Sequence, residues 1–143
     1  MIIPIGCDHA GFELKEKVVK YLKEQGFEVK DYGAYSEESV DYPDFGHKVA
    51  KHVVEAKDGL GIVICGSGNG INMTVNKYQD IRSALCWTVE IAALARQHNN
   101  ANIIAVPARF VAEELALEMV NTFLTTEFEG GRHERRVNKI SCS

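Results

Sequence analysis

No apolar run in this 143-residue chain approaches the roughly 20 residues a bilayer-spanning helix needs, so the sequence predicts no membrane partner. Residues 1–11 carry no basic stretch ahead of their apolar positions, and they read as a first strand rather than a secretory leader. Cysteine is scarce and scattered. Cys7, Cys65, Cys86 and Cys142 show no C-x-x-C spacing, which argues against structural zinc and, in a cytoplasmic chain, favours free thiols over a disulfide framework. Positive charge is not in excess: 16 Lys and Arg face 20 Asp and Glu, for a net charge of −4. That balance speaks against a general nucleic-acid or anionic-membrane binder. Internal repeats, low-complexity tracts and linkers are also lacking.

What is present is ordinary for a globular domain, with 45% apolar and 25% charged residues. Residues 1–143 read as one domain, long enough to bury a core without a staple. Apolar periodicity alternates between strand and helix. Ile2, Ile3 and Ile5 form a β-branched run, and Leu14, Val18 and Leu22 then recur with helical spacing up to a stop at Gly26. Residues 27–31 read as a second strand. Pro43 suits the first turn of a helix capped by Asp41 or Tyr42, with Phe45, Val49, Val53 and Ala56 on its apolar face. The continuous run at 60–65 reads as a strand covered on both faces. A helix to about Lys77, a strand at 83–86, a helix at 89–97 and a strand at 103–106 follow. A last long helix is marked by Val111, Leu115, Met119 and Phe123, and residues 130–143 read as a basic helical tail. Five strand–helix units imply an α/β fold, with a five-stranded parallel sheet between two helical layers.

The strongest local signal is Cys65-Gly66-Ser67-Gly68-Asn69-Gly70, between a buried strand and a helix. Such a turn lets backbone N–H groups converge on an anion at a helix N-terminus. It is not a dinucleotide fingerprint, because Ile71 stands where the third glycine belongs and no acidic residue ends the next strand; nor is it a Walker loop, which needs Gly-Lys-Ser/Thr. A plain tight turn is the alternative. Cys65, at the strand end, is either a thiol acidified by nearby N–H dipoles, hence a nucleophile or base, or a small buried hydrophobe. Cys7, Cys86 and Cys142 read as structural.

Asp8 and His9 follow the first strand, and in a parallel sheet they should meet Cys65 at the carboxyl edge. A capping Asp beside a solvated His is the other reading. Arg132 and Arg136 share a helix face, with His133 and Arg135 adding charge; the cluster suits a phosphate or is a solvated basic helix. His98 and Asn99 end a helix whose C-terminus lies at the opposite edge from Cys65, so His98 is either structural or serves another subunit. His47 and His52 read as surface or packing residues.

These blocks together resemble the ribose-5-phosphate isomerase B and galactose-6-phosphate isomerase family. The carriers are Gly6-Cys7-Asp8-His9-Ala10-Gly11, Asp41-Tyr42-Pro43-Asp44, Ile64-Cys65-Gly66-Ser67-Gly68-Asn69-Gly70, Arg96-Gln97-His98-Asn99 and Phe128-Glu129-Gly130-Gly131-Arg132-His133. The resemblance implies a three-layer, Rossmann-like α/β/α sandwich and a homodimer or homotetramer with a composite active site. It implies interconversion of ribose 5-phosphate and ribulose 5-phosphate with no metal or organic cofactor. By it, Cys65 shuttles the proton, Ser67 and the amides of Gly66, Gly68, Asn69 and Gly70 hold the enediolate oxygen, and Asp8 and His98 assist ring opening. His9, Arg132 and Arg136 hold the phosphate, Tyr42 and Asn99 contact the sugar, and Arg109 assists at the phosphate end. Some members use a Glu just after the glycine-rich loop; Ile71 stands there, leaving Cys65 as the candidate base. Pro107 replaces a common glycine before Arg109, and Trp87 is unusual after the fourth strand. Galactose 6-phosphate or allose 6-phosphate isomerisation is an alternative, and a non-catalytic sugar-phosphate-binding module is an alternative of a different class.

Overall fold

The computed structural model describes residues 1–142; Ser143, the last residue of the expected basic tail, lies outside the described residues. The strands are β1 (Ile2–Cys7), β2 (Glu28–Asp31), β3 (Gly61–Cys65), β4 (Ser83–Leu85) and β5 (Ile103–Pro107). The helices are α1 (Phe12–Glu24), α2 (Tyr42–Glu55), α3 (Asn69–Val75), α4 (Val89–Asn99), α5 (Glu113–Thr125) and α6 (Arg132–Val137). All pairings are parallel, in the order β2-β1-β3-β5-β4. This is the expected α/β architecture. None of the helices among the described residues is long and apolar enough to cross a membrane.

The strand period of two divides the core between the sheet's faces. Ile3, Ile5, Cys7, Ile62, Ile64, Ile104 and Val106 pack with Val18 and Leu22 of α1, Ala92 of α4, and Met119 and Phe123 of α5. Val63, Cys65, Ile103 and Ala105 point the other way, onto Val49 and Val53 of α2 and Ile71 and Val75 of α3. The central strands β3 and β5 are buried at every residue, which is why they read as uninterrupted apolar runs.

Element ends differ from the sequence expectation where side chains and turns intervene. Helix α3 stops at Val75, short of Lys77. Asn76 turns its amide onto Ser83, donating to its carbonyl at 3.0 Å and accepting from its N–H at 2.8 Å, so the chain leaves the helix to start β4. Helix α5 begins after Ala112, excluding Val111, because the N–H groups of Arg109 and Phe110 are held by the carbonyls of Gly66 and Pro107. Asp41 occupies the N-cap of α2 without a side-chain cap bond. His47 and His52 pack as expected, each with a ring nitrogen 2.8 Å from a tyrosine hydroxyl, Tyr78 and Tyr32 respectively. Cys142, expected to be structural, is exposed.

The buried ammonium of Lys15 breaks the apolar pattern of α1. The Lys15 side chain is fully buried, and its Nζ lies 2.8 Å from Asp31 Oδ2, 3.0 Å from Glu16 Oε1 and 2.8 Å from the Ala34 carbonyl. Burial alone would lower the ammonium's pKa, but the bonds to Asp31 and Glu16 outweigh it and leave the value raised. Removing one partner of a buried pair strands the other charge, so Asp31→Ala should destabilise the fold by about 3 kcal/mol in urea unfolding. Because the lysine's folded pKa is raised, its contribution is complete below the unfolded value of about 10.4 and is lost as pH rises through the folded one. The gap between wild type and Asp31→Ala should therefore hold through neutral pH and narrow only in strong alkali.

Candidate active site

The order β2-β1-β3 reverses direction at the β1–β3 pair, and the connections leave these two strands for opposite faces of the sheet, α1 to one and α3 to the other. Beyond the carboxyl ends of such a pair no helix can cover the edge, and a crevice opens. A cavity of about 540 Å³ lies there. Asp8, His9 and Ala10 line it after β1, Cys65, Gly66 and Ser67 after β3, and Tyr42, Gly70, Arg109 and Phe110 complete the walls.

Asp8 is buried. Its Oδ1 accepts the Gly11 N–H at 3.1 Å, capping a 3-10 turn (His9–Gly11), and its own N–H donates to the Ile64 carbonyl. The carboxylate is thus both a cap and a group facing the cleft. His9 Nδ1 accepts the Val40 N–H at 3.2 Å, which leaves Nε2 as the donor of a neutral ring.

The β3–α3 turn is built for close approach. Gly68 sits at φ 77°, a left-handed conformation that favours glycine. A Cβ on Gly70 would lie 2.5 Å from the Tyr42 ring, so only glycine lets that ring lie over the loop. Ser67 Oγ accepts the Asn69 N–H at 3.2 Å. The Cys65 carbonyl accepts from Ala108 N and the Gly66 carbonyl from Arg109 N, strapping the β5 exit onto the β3 exit and laying the Arg109 guanidinium over Gly66. Pro107 ends β5 without removing Arg109 from the cleft.

Of the thiols, Cys65 is the one that lines this cleft. Desolvation pushes Cys7 up to about 12, partly offset by Lys15, and Cys86 likewise to about 12, so both are inert thiols of the core.

The remaining candidates gather elsewhere. His98 ends α4 and stacks on His133 of α6, with ring centroids 4.2 Å apart and planes 12° apart. Arg132 and Arg136 are exposed on α6. Asn99 lines a separate cavity of about 560 Å³, between the end of α3 and residues 140–142. None of these four residues lines the Cys65 cleft. Sequence reasoning also passed over Phe110, whose position after Arg109 was the available signal, and Glu129, which stands four residues before His133 and lies beside both His98 and His133. Among the described residues, His98, Glu129 and His133 are the cluster whose ligand atoms could hold a metal ion.

Residues 3–140 match the family model described as Ribose/Galactose Isomerase. The chain is 44% identical to ribose-5-phosphate isomerase B of Escherichia coli K12 over 140 residues, covering 98% of this chain and 94% of that protein. Its structure is similar to a ribose 5-phosphate isomerase from Thermotoga maritima (TM-score 0.95, 53% identity, covering 98% of this chain and 97% of that one). It is also similar to the Mycoplasma genitalium ribose-5-phosphate isomerase B with bound ribulose-5-phosphate (TM-score 0.92, 44% identity, 97% and 93%). With the match spanning nearly every residue from β1 through α6, the chain belongs to the ribose/galactose isomerase family.

Proposed function

We propose that the protein is an aldose–ketose isomerase interconverting ribose 5-phosphate and ribulose 5-phosphate through an enediolate. The observation that carries this is the placement of Cys65 beside Asp8, Tyr42 and Arg109 in one open cleft at the β1–β3 switch point. The relative of known structure that holds ribulose-5-phosphate supports the five-carbon substrate.

In this reading the Cys65 thiolate removes the C2 proton of the open-chain aldose. The C2–H electron pair forms the C1–C2 double bond, and the carbonyl pair moves onto O1. One proton then passes from O2 to O1, and the thiol returns its proton to C1 as the O2 carbonyl forms. Charge builds on oxygen, and fixed donors aimed at it contribute about 3–4 kcal/mol apiece. Ser67 Oγ–H and the amides of Gly66, Gly68, Asn69 and Gly70 are those donors. First-turn amides of a helix have no intrahelical acceptor, although Asn69 N–H is engaged by Ser67 until substrate arrives. Asp8 assists opening of the furanose, Tyr42 contacts the sugar and Arg109 assists at the phosphate end. His9 offers the phosphate a neutral N–H, fixed by its bond to Val40.

His98, Asn99, Arg132 and Arg136 enter the same chemistry from a second copy of the chain. A crossover helix runs its C-terminal end away from the ligand edge of its own sheet, so a residue at the end of α4 can reach a cleft only across an interface. The working unit is then a homodimer, or a homotetramer built of such dimers, acting in the cytoplasm with residues 1–143 as one isomerase domain and 130–143 as its basic tail. Neither metal nor organic cofactor takes part in the chemistry.

Cys65→Ala should abolish turnover while sugar-phosphate binding measured by calorimetry survives; retained turnover would assign the proton transfer to another group, and the absence of turnover in wild type would favour a non-catalytic binding module. Assays of ribose 5-phosphate, allose 6-phosphate and galactose 6-phosphate in the presence of a chelator should show the first turned over fastest and undiminished. Inactive Cys65→Ala and His98→Gln proteins, mixed and allowed to exchange subunits, should recover about one quarter of the wild-type sites by random pairing in a two-fold dimer. Mixtures that stay inactive would place both residues in one subunit's site.

A further inference from the structure

The corner between α4 and α6 holds a donor set of which the proposed isomerase chemistry uses His98 alone. Glu129 Oε1 lies 3.8 Å from His98 Nε2 and 3.6 Å from His133 Nε2, too long for hydrogen bonds, and the three ligand atoms lie within 4.8 Å of one another. The frame is pinned: the Glu129 N–H donates to the Gln97 carbonyl at 3.1 Å, the His133 N–H donates to the Gly130 carbonyl, and the two imidazoles stack. We propose that His98, Glu129 and His133 form a site for a divalent transition-metal ion of the zinc class, and that filling it withdraws His98 from the sugar and reversibly silences the enzyme.

Two imidazoles and one carboxylate are the borderline ligands zinc accepts, with a fourth position left for water. Zinc–nitrogen bonds of about 2.0–2.1 Å at tetrahedral angles need ligand atoms about 3.3 Å apart, a small closure from the spacing here. The His98 and Glu129 side chains, 40% and 51% exposed, have room to make it, and the parallel rings must tilt so that both lone pairs converge. His133, at 13%, is the fixed member. Arg132 and Arg136 repel a dication, which makes the site a reversible one rather than a structural one. The silencing rests on the role given to His98 above; binding does not.

The test uses zinc sulfate with the metal-free, full-length protein. Calorimetry should show one equivalent bound at micromolar zinc by wild type and equally by Cys65→Ser, which removes the competing thiol. Glu129→Gln and His133→Asn should weaken that affinity by about tenfold or more. Saturating zinc should lower wild-type kcat by about a hundredfold, the share of one acid–base group, with recovery on adding a chelator, while Glu129→Gln keeps its own metal-free rate. Absence of binding at micromolar zinc, or binding lost in Cys65→Ser yet kept in Glu129→Gln, overturns the site. Zinc held at the cluster with unchanged turnover overturns the silencing. An enzyme inactive without metal towards every sugar phosphate overturns the isomerase reading alone, and the calorimetry still decides the site.

Discussion

The parallel pairing of β1 with β3, Ile5 opposite Ile62 through Cys7 opposite Ile64, is the constraint from which the site follows. The chain places its first and third strands side by side and sends the helices that leave them, α1 and α3, to opposite faces, so the carboxyl ends of these strands emerge together with nothing above them. Asp8 is one residue past Cys7 and Gly66 one past Cys65. Register alone brings a carboxylate and a thiol to the same opening, and the Asp8 N–H bond to the Ile64 carbonyl carries the pairing one step beyond the sheet.

Small residues and backbone bonds then shape the opening. Gly70 admits the Tyr42 ring, Gly68 makes the turn into α3, and the carbonyls of Cys65 and Gly66 hold the chain after β5 so that Arg109 overhangs the loop. Few of these contacts involve large apolar side chains. The core on either side of the sheet supplies the rigidity, and the cleft is what remains where the two helical layers part.

The polarity of the α/β unit explains the division of the candidate residues. Crossover helices start near the ligand edge and end at the far one, so α3 contributes its first turn to the cleft while α4 carries His98 away from it. Packing α6 against α4 gathers His98, His133 and Glu129 at one corner, beside the cationic face of Arg132 and Arg136. The composite site proposed above follows from this division, since His98, Arg132 and Arg136 lie outside the cleft that Cys65 lines.

The sequence by itself determined the α/β alternation, the central strands and the glycine-rich turn, because these depend on local period and on backbone freedom. Runs such as 60–65 can be read without knowing what covers them. It determined that Asp8 and His9 follow the first strand and that Cys65 ends the third, and parallel topology then placed them at one edge. The buried ammonium of Lys15 was not legible, since its partners Asp31 and Ala34 are distant in sequence and a lysine among glutamates on an amphipathic helix looks solvated. Nor were the early end of α3, decided by the Asn76 side chain meeting Ser83, and the place of Glu129 between two histidines. Those required the tertiary structure, because each depends on a side chain satisfying a polar group from another element, and which groups meet is set by how the layers pack.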